Sequence, residues 1–289
     1  MKIAILGTGL MGTDFAKAVI KAGYEAIVYN RTASKTAPLV ALGAKSVTTA
    51  AAAILEADAS IVVVLDGSGL KNLLLDESTK AVLKGKKIIN AATTNLKEIV
   101  DISAEVAEYG GDLAEMTIYV GSEELEDGKG QFAIGCNVLD EQFWKNILMN
   151  VGESVFRVGD VGDATKAEAP TLIASMFSAV TLAYAVAAAK KLNVPQEIFE
   201  PAITMAVPGA EYLLPKMLNR NYDECLASVD SYISGLAIAI STVKSVGMPT
   251  DVLKLMHGLF EAAAKRGFRK KDGASVMEVL LEPKADVHM

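Results

Sequence analysis

Residues 2–32, KIAILGTGLMGTDFAKAVIKAGYEAIVYNRT, constrain the fold more than any other stretch of the chain. Ile3, Ala4, Ile5 and Leu6 form a short apolar run, the pattern of a strand buried on both faces. The turn Gly7, Thr8, Gly9, Leu10, Met11, Gly12 follows at once. Phe15, Ala18, Val19 and Ala22 then recur at helical spacing up to Gly23, and residues 26–29 read as a second buried strand. In a strand–turn–helix–strand unit of about thirty residues, G-x-G-x-x-G has a mechanism as a dinucleotide site. Gly7 permits the tight turn, Gly9 lets the backbone approach a pyrophosphate, and Gly12 lets helix and strand pack closely. The helix N-terminus offers free N–H groups and a partial positive charge to phosphate. The competing reading is a glycine turn that only packs.

The first half of the chain continues the pattern. Strand patterns recur at 45–48, 60–65 (SIVVVL), 87–91 (KIINA), 112–120, 131–136 and 154–158. They alternate with helical spacing at 34–42, 50–56, 70–83, 96–109 and 139–149, while the acidic stretch 121–130 reads as a loop. Such alternation predicts a mostly parallel sheet with helices on both faces and ligands at the carboxyl ends of the strands. The loops after Leu6, Leu65 and Ala91 then face one cleft, which brings Leu65, Asp66, Ala92, Thr93 and Thr94 to the cofactor. Beyond Gly159 only helical segments remain, at 163–192, 196–206, 210–219, 222–246, 250–266 and 274–281. The expected fold is α/β: an N-terminal Rossmann dinucleotide-binding domain at 1–160, then an all-helical C-terminal domain at 161–289 that opens with a long helix.

The end of the second strand selects between NAD and NADP. An acid there hydrogen-bonds the ribose 2′-hydroxyl and repels a 2′-phosphate. This chain has neutral Asn30, then Arg31, Thr32 and Lys35. Arg31 can grip phosphate bidentately and lie over adenine, Thr32 offers a hydroxyl and Lys35 a point charge. The cofactor expected is NADP(H); the competing reading is an exposed basic turn.

A net charge of −7 without a basic run argues against nucleic acid. Cys136 and Cys225 give no disulfide framework, which fits reduced thiols in the cytoplasm, and the chain enters a strand with no expected signal peptide. His257 and His288 belong to no cluster with ligand spacing, so no metal is expected. Residues 171–189 carry no charge and approach membrane-span length, yet Ala, Ser and Thr dominate them. Burial against protein is the reading adopted, with no membrane partner. One small helical domain can hardly cover such a helix, which predicts an intertwined homodimer.

The layout resembles the β-hydroxyacid dehydrogenase superfamily and, within it, the NADPH-dependent imine reductases and reductive aminases. The resemblance covers nearly the full chain. It rests on GTGLMGTDFAKAVIKAGY, YNRTASKTAPLVALGA, the IVVVLD strand and the Gly159-Asp160-Val161-Gly162 turn, and on the late segments YLLPKMLNRNYDECLASVDSY and GMPTDVLKLMHGLFEAAAKRG. It implies hydride transfer from NADPH to a small imine or carbonyl substrate. The hydroxyacid enzymes carry a lysine six residues past the second glycine of that turn and an asparagine one helical turn later. Those positions here are Glu168 and Leu172. Their serine after the KIINA strand is Ala92, and their late Lys-Asp pair falls near Ser234-Gly235. Imine reductases commonly place an aspartate or tyrosine at the lysine position. Glu168 is therefore the candidate catalytic carboxylate. Lys166 competes with it, because Pro170 at the helix start can shift the register. By the same resemblance, Asp230 and Tyr232 fall where imine reductases place substrate-contacting residues on a partner subunit, and Met205 lines the same pocket.

Glu168 shares a helix face with Leu172, Ser175, Met176 and Ala179, a largely apolar pocket wall. A carboxylate there stabilises a cationic iminium that a lysine would repel. Desolvation favours the protonated acid and the helix dipole the ionised one. Tyr184 lies about 160° round the helix from Glu168, which assigns it to packing. Bland readings stand beside these: a first-turn glutamate held by the dipole, helix packing for Asp230 and Tyr232, and methionine as filler. The expected activity is imine reduction. The alternatives are a β-hydroxyacid dehydrogenase or small aldehyde-acid reductase using Lys166, and a dinucleotide-binding protein without chemistry.

Overall fold

The computed structural model describes residues 1–282, so His288 lies outside the described residues. It divides into two compact units, Met1–Glu168 and the chain from Ala169 onward. In the first unit, β1 (Lys2–Leu6), α1 (Leu10–Lys21), β2 (Glu25–Tyr29), α2 (Ala37–Ala41), β3 (Lys45–Ser46), α3 (Ala50–Glu56) and β4 (Ala59–Val62) follow in order. Then come α4 (Gly67–Leu74), α5 (Glu77–Lys80), β5 (Lys87–Asn90), α6 (Leu96–Glu108), β6 (Asp112–Ile118), α7 (Ser122–Glu126), β7 (Gly130–Gly135), α8 (Glu141–Leu148) and β8 (Gly152–Gly159). The sheet order is β3-β2-β1-β4-β5-β6-β7-β8, parallel except where β7 runs against β6. The strand order reverses between β1 and β4, the switch point at which α/β sheets bind ligands.

Both faces of the sheet are covered. Ile3, Ile5, Phe15, Val28, Ile61 and Trp144 pack on one side, and Ala4, Leu6, Ile54, Val62, Ile88 and Ile99 on the other. This alternation explains why β1 and β4 read as unbroken apolar runs. β4 stops at Val62 rather than Leu65, because its partners stop there too: Val62 pairs with Leu6 on β1 and with Asn90 on β5. The expected 121–130 loop contains α7. Its Leu125 is fully buried, and Glu126 accepts from Lys17 of α1 at 2.7 Å and from Lys21 at 3.2 Å. The expected 34–42 helix begins instead as a 3-10 turn, Ala33–Thr36, with Pro38 in the first turn of α2.

α9 (Asp163–Lys191) begins in the first unit and continues into the second; the division falls within it, past the expected boundary at 160. Helices α10 (Gln196–Ala206), α11 (Ala210–Asn219), α12 (Val229–Ser245), α13 (Asp251–Ala263) and α14 (Met277–Leu281) complete the second unit, and no strand is found among its described residues. α12 starts at Val229, not at 222. Ser228 caps it by accepting the Ser231 N–H at 3.2 Å, and buried Asp272 holds the preceding segment by accepting the Leu226 N–H at 2.9 Å. Met176, Leu182, Ala183, Val186, Leu214, Leu236 and Phe260 belong to one apolar core. By length and composition α9 alone among the described helices could cross a membrane, and 39 % of its most apolar window is buried within the chain.

Candidate functional site

The chain leaves β1 through Gly7 at φ +104°, a conformation that favours glycine, and a Cβ there would lie 2.2 Å from the Val63 carbonyl oxygen. At Gly12 a Cβ would stand 2.0 Å from the Gly7 oxygen, so α1 can approach the turn only because that position is bare. Gly9 differs: nothing lies within 4 Å of its missing Cβ. It is the N-cap of α1 and gives no side-chain hydrogen bond, which leaves the first N–H groups of the helix to a ligand.

Around this turn the carboxyl ends of β1, β2 and β4 enclose a cleft of about 800 Å³. Gly7, Gly9, Asn30, Arg31, Thr32, Lys35, Leu65 and Asp66 line it, as the sequence predicts. Arg31 and Lys35 are exposed and form no ion pair among the described residues. The remaining predicted cofactor residues have other surroundings. Thr8 is buried and joins two turns: its hydroxyl accepts from the Asn30 amide at 3.0 Å and donates to the Lys35 carbonyl at 3.4 Å. Leu10 is exposed outside the cleft lining, and Met11 is half-buried against the core. Ala92 and Thr94 are buried, the former held by two hydrogen bonds of 2.9 Å to the Asn90 side chain. Thr93 meets the cleft indirectly, through a parallel bridge to Asp66.

The sequence reading missed Thr48, Thr49, Ser68, Asn72 and Ser78, which also line the cleft. For Thr49 a signal was available: it caps α3, accepting from Ala52 N at 3.1 Å, as the predicted Asp66 caps α4, accepting from Gly69 N at 2.8 Å. A bare helix start, a glycine-floored turn and two free cations fit the pyrophosphate and 2′-phosphate of a dinucleotide.

Glu168 belongs to a second cluster of the same unit, built between β6 and the first turns of α9. Glu115, fully buried on β6, accepts from Gly162 N at 2.5 Å, Ala164 N at 2.9 Å and Thr165 N at 3.4 Å, and from the Thr165 hydroxyl at 2.7 Å. It thereby supplies the cap that α9 lacks in its own sequence. Thr117, two residues on, donates to the Ala164 carbonyl at 3.3 Å and also hydrogen-bonds Glu168. The Glu168 carboxyl is pushed up to about 7 by burial, then by the charge of Glu115, with Thr117 opposing both. Burial also raises Glu115, against the four donors that hold it. At about 7 Glu168 is poised to give or take a proton near neutrality. Lys166 is exposed and pairs with Asp163 at 2.6 Å. Pro170 lies inside α9 without ending it.

In the second unit Leu172 and Met176 are partly and fully buried in the helical core, with Met176 over Gly235. Tyr232 stacks on Phe260 at 4.6 Å between centroids and covers Gly273, and Asp230 pairs with Arg269 at 2.7 Å and Lys270 at 2.9 Å. Met205 is 87 % exposed, and Tyr184, assigned to packing from its helix position, is 45 % exposed. Among the described residues no group of His, Cys, Asp or Glu could hold a metal ion.

The family model of the NAD binding domain of 6-phosphogluconate dehydrogenase matches residues 2–159. The glyoxylate/succinic semialdehyde reductase 2 of Arabidopsis thaliana is 25 % identical over 99 % of this chain and 81 % of its own length. Among solved structures, a 3-hydroxyisobutyrate dehydrogenase from Salmonella typhimurium superposes with a TM-score of 0.86 at 19 % identity, over 96 % of this chain and 99 % of its own. An imine reductase from Myxococcus stipitatus in complex with NADP+ gives 0.66 at 21 % identity, over 98 % and 100 %. At these identities the two structures establish a shared fold.

Proposed function

The chain belongs to the family of the 6-phosphogluconate dehydrogenase NAD binding domain, and so to the NAD(P)-binding oxidoreductases of the β-hydroxyacid dehydrogenase type; from that premise we propose that it is an NADPH-dependent imine reductase. The observation that carries this reading is a carboxyl group, poised at about 7, at the position where the resembled hydroxyacid enzymes carry a lysine. NADPH, when bound, supplies the hydride. Glu168 is the source of the proton that reaches the substrate nitrogen and, once ionised, a negative charge near a cationic iminium. Arg31, Thr32 and Lys35 select NADPH by its 2′-phosphate. A homodimer built on α9 completes the proposed assembly.

The test is NADPH oxidation with cyclic imines, small aldehyde acids and hydroxyacids offered side by side. Imines are the expected substrates, and Glu168→Gln lowers turnover by about 10²–10⁴-fold with NADPH affinity nearly unchanged, while Lys166→Met does little. The similarity to the Arabidopsis glyoxylate/succinic semialdehyde reductase makes aldehyde acids the specific competitor. Turnover of these alone, lost in Lys166→Met and kept in Glu168→Gln, overturns the imine reading. No turnover of any class leaves a dinucleotide-binding protein without this chemistry.

A further inference from the structure

We propose that Tyr119 is the group that hands the proton to the substrate, with Glu168 as the reservoir behind it. The inference rests on the reductase reading above.

The geometry begins on β6. Side chains on a strand alternate, so Glu115 and Thr117 point to one face. Tyr119 follows the last residue of β6, yet its N–H still donates to the Gln131 carbonyl of β7 at 2.9 Å, which continues the ladder and keeps its side chain on that face. The first turns of α9 are laid along the same face by hydrogen bonds from Gly162, Ala164 and Thr165 to Glu115, and from Thr117 to Ala164. Glu168 is one helical turn beyond Ala164 on the same side of α9. It therefore passes Thr117, which it hydrogen-bonds, toward Tyr119. The two groups feel each other: burial, then the Glu168 charge, raises the Tyr119 phenol above its ordinary value. Exposure rises along the row, from 2 % at Glu115 and 6 % at Thr117 to 39 % at Tyr119. Glu168 is half-buried, and the phenol is the most open group of the row. It lies at the carboxyl end of β6, which runs parallel to β5, β4 and β1 and shares their ligand-binding edge. The titratable groups facing Glu168 are Glu115 and Tyr119 on the strand side; on α9, Lys166 is turned to solvent with Asp163.

The proton balance closes. The substrate carbon gains the hydride's two electrons from the reduced nicotinamide, and the C=N π bond becomes the new N–H pair. The proton on nitrogen leaves the Tyr119 hydroxyl. The phenolate then takes the proton held by Glu168, a downhill step from an acid near 7 to a phenol raised above its ordinary value, and the Glu168 carboxylate is reprotonated from solvent.

Two measurements test the pair. In protein carrying ¹³Cζ-labelled tyrosine, with Tyr119→Phe identifying its signal, the Tyr119 titration is followed with and without Glu168→Gln. Removing the carboxylate charge is expected to lower the pH at which Tyr119 ionises. An unchanged titration overturns the proposal, whether or not a substrate is known. In turnover, Tyr119→Phe is expected to lose at least about 10²-fold with NADPH affinity kept. If Tyr119→Phe retains full turnover while Glu168→Gln is inactive, Tyr119 is not the donor and the reductase reading survives. If Glu168→Gln is fully active, Glu168 holds no catalytic proton and the proposed pair is overturned, while the reductase reading loses only its carboxyl group.

Discussion

Asn30 donates its side-chain amide to the hydroxyl of Thr8 at 3.0 Å, which ties the basic turn after β2 to the glycine turn after β1. The same side chain accepts the Thr32 N–H at 2.9 Å, so the residue that replaces the usual acid serves as a brace. With Asn30 so engaged, Arg31 and Lys35 line the cleft wall, and the proposed NADPH preference assigns the 2′-phosphate to them. A charge-assisted hydrogen bond contributes about 1.5–3 kcal/mol. Arg31→Ala should therefore weaken NADPH by roughly 10- to 100-fold and leave NADH nearly unaffected. Fluorescence titration with both cofactors checks this; equal affinities in the unmodified protein would show that the turn does not read the phosphate.

Two glycines of the turn should respond in opposite ways. A Cβ at Gly12 meets the Gly7 carbonyl at 2.0 Å and the Val63 Cβ at 3.2 Å, so Gly12→Ala must push α1 off the sheet. Overpacking of this kind costs about 1–3 kcal/mol, read as a lower denaturant midpoint. Gly9→Ala meets no atom within 4 Å and has backbone angles that alanine tolerates. It should keep its stability and lose dinucleotide binding, because the methyl occupies ligand space. Loss of stability in Gly9→Ala with binding intact would reverse the roles assigned to the two positions.

Sequence patterning was strongest where burial is two-sided. β1 and β4 are buried on consecutive residues, nearly all of them apolar, because both faces are covered, and that signal needs no knowledge of partners. The glycine turn was legible for the same reason: its constraints are local. Glu115 was invisible because its role is to cap a helix 47 residues further on, and nothing in the EMT triplet announces a long-range acceptor. Tyr119 and Thr117 were missed likewise, since their neighbour Glu168 arrives from another element. Tyr184 is 45 % exposed within the chain, since a helix-wheel angle says which residues share a face and not which face meets the chain's own core.

The proposed dimer now has a specific surface. Ala174, Phe177, Thr181, Tyr184 and Ala188 are all exposed and recur at three- and four-residue spacing along α9. In the proposed dimer this stripe is the seam against a second helix. Ala183, by contrast, is fully buried in the helical core, so a charge there would break the fold whatever the oligomeric state. Tyr184→Glu is the informative change. Burial of each large apolar side chain contributes about 1.5–3 kcal/mol, so one charge in the seam should convert dimer to folded monomer by light scattering, with the helical circular dichroism retained. A monomeric unmodified protein would rule the seam out as a self-association surface.

Glu168 also leaves a mark on stability. Its carboxyl titrates at about 7 in the folded chain and near 4.5 when unfolded. Between those values the native state holds the extra proton, so stability should fall as pH rises through this window and level off above it. One pKa unit corresponds to about 1.4 kcal/mol, which bounds the loss at about 3.5 kcal/mol. Glu115 is raised too and adds a slope of the same sign. Asp163 is lowered, by its hydrogen bond with Lys166, and acts in the opposite sense at lower pH. Glu168→Gln removes one titrating group while keeping its shape, so the decline between pH 5 and 7 should flatten and the residue of it be Glu115's. Urea unfolding at half-unit pH steps measures this directly. Identical pH profiles for the two proteins would mean that the Glu168 carboxyl is not raised, and the proton reservoir assigned to it would be lost.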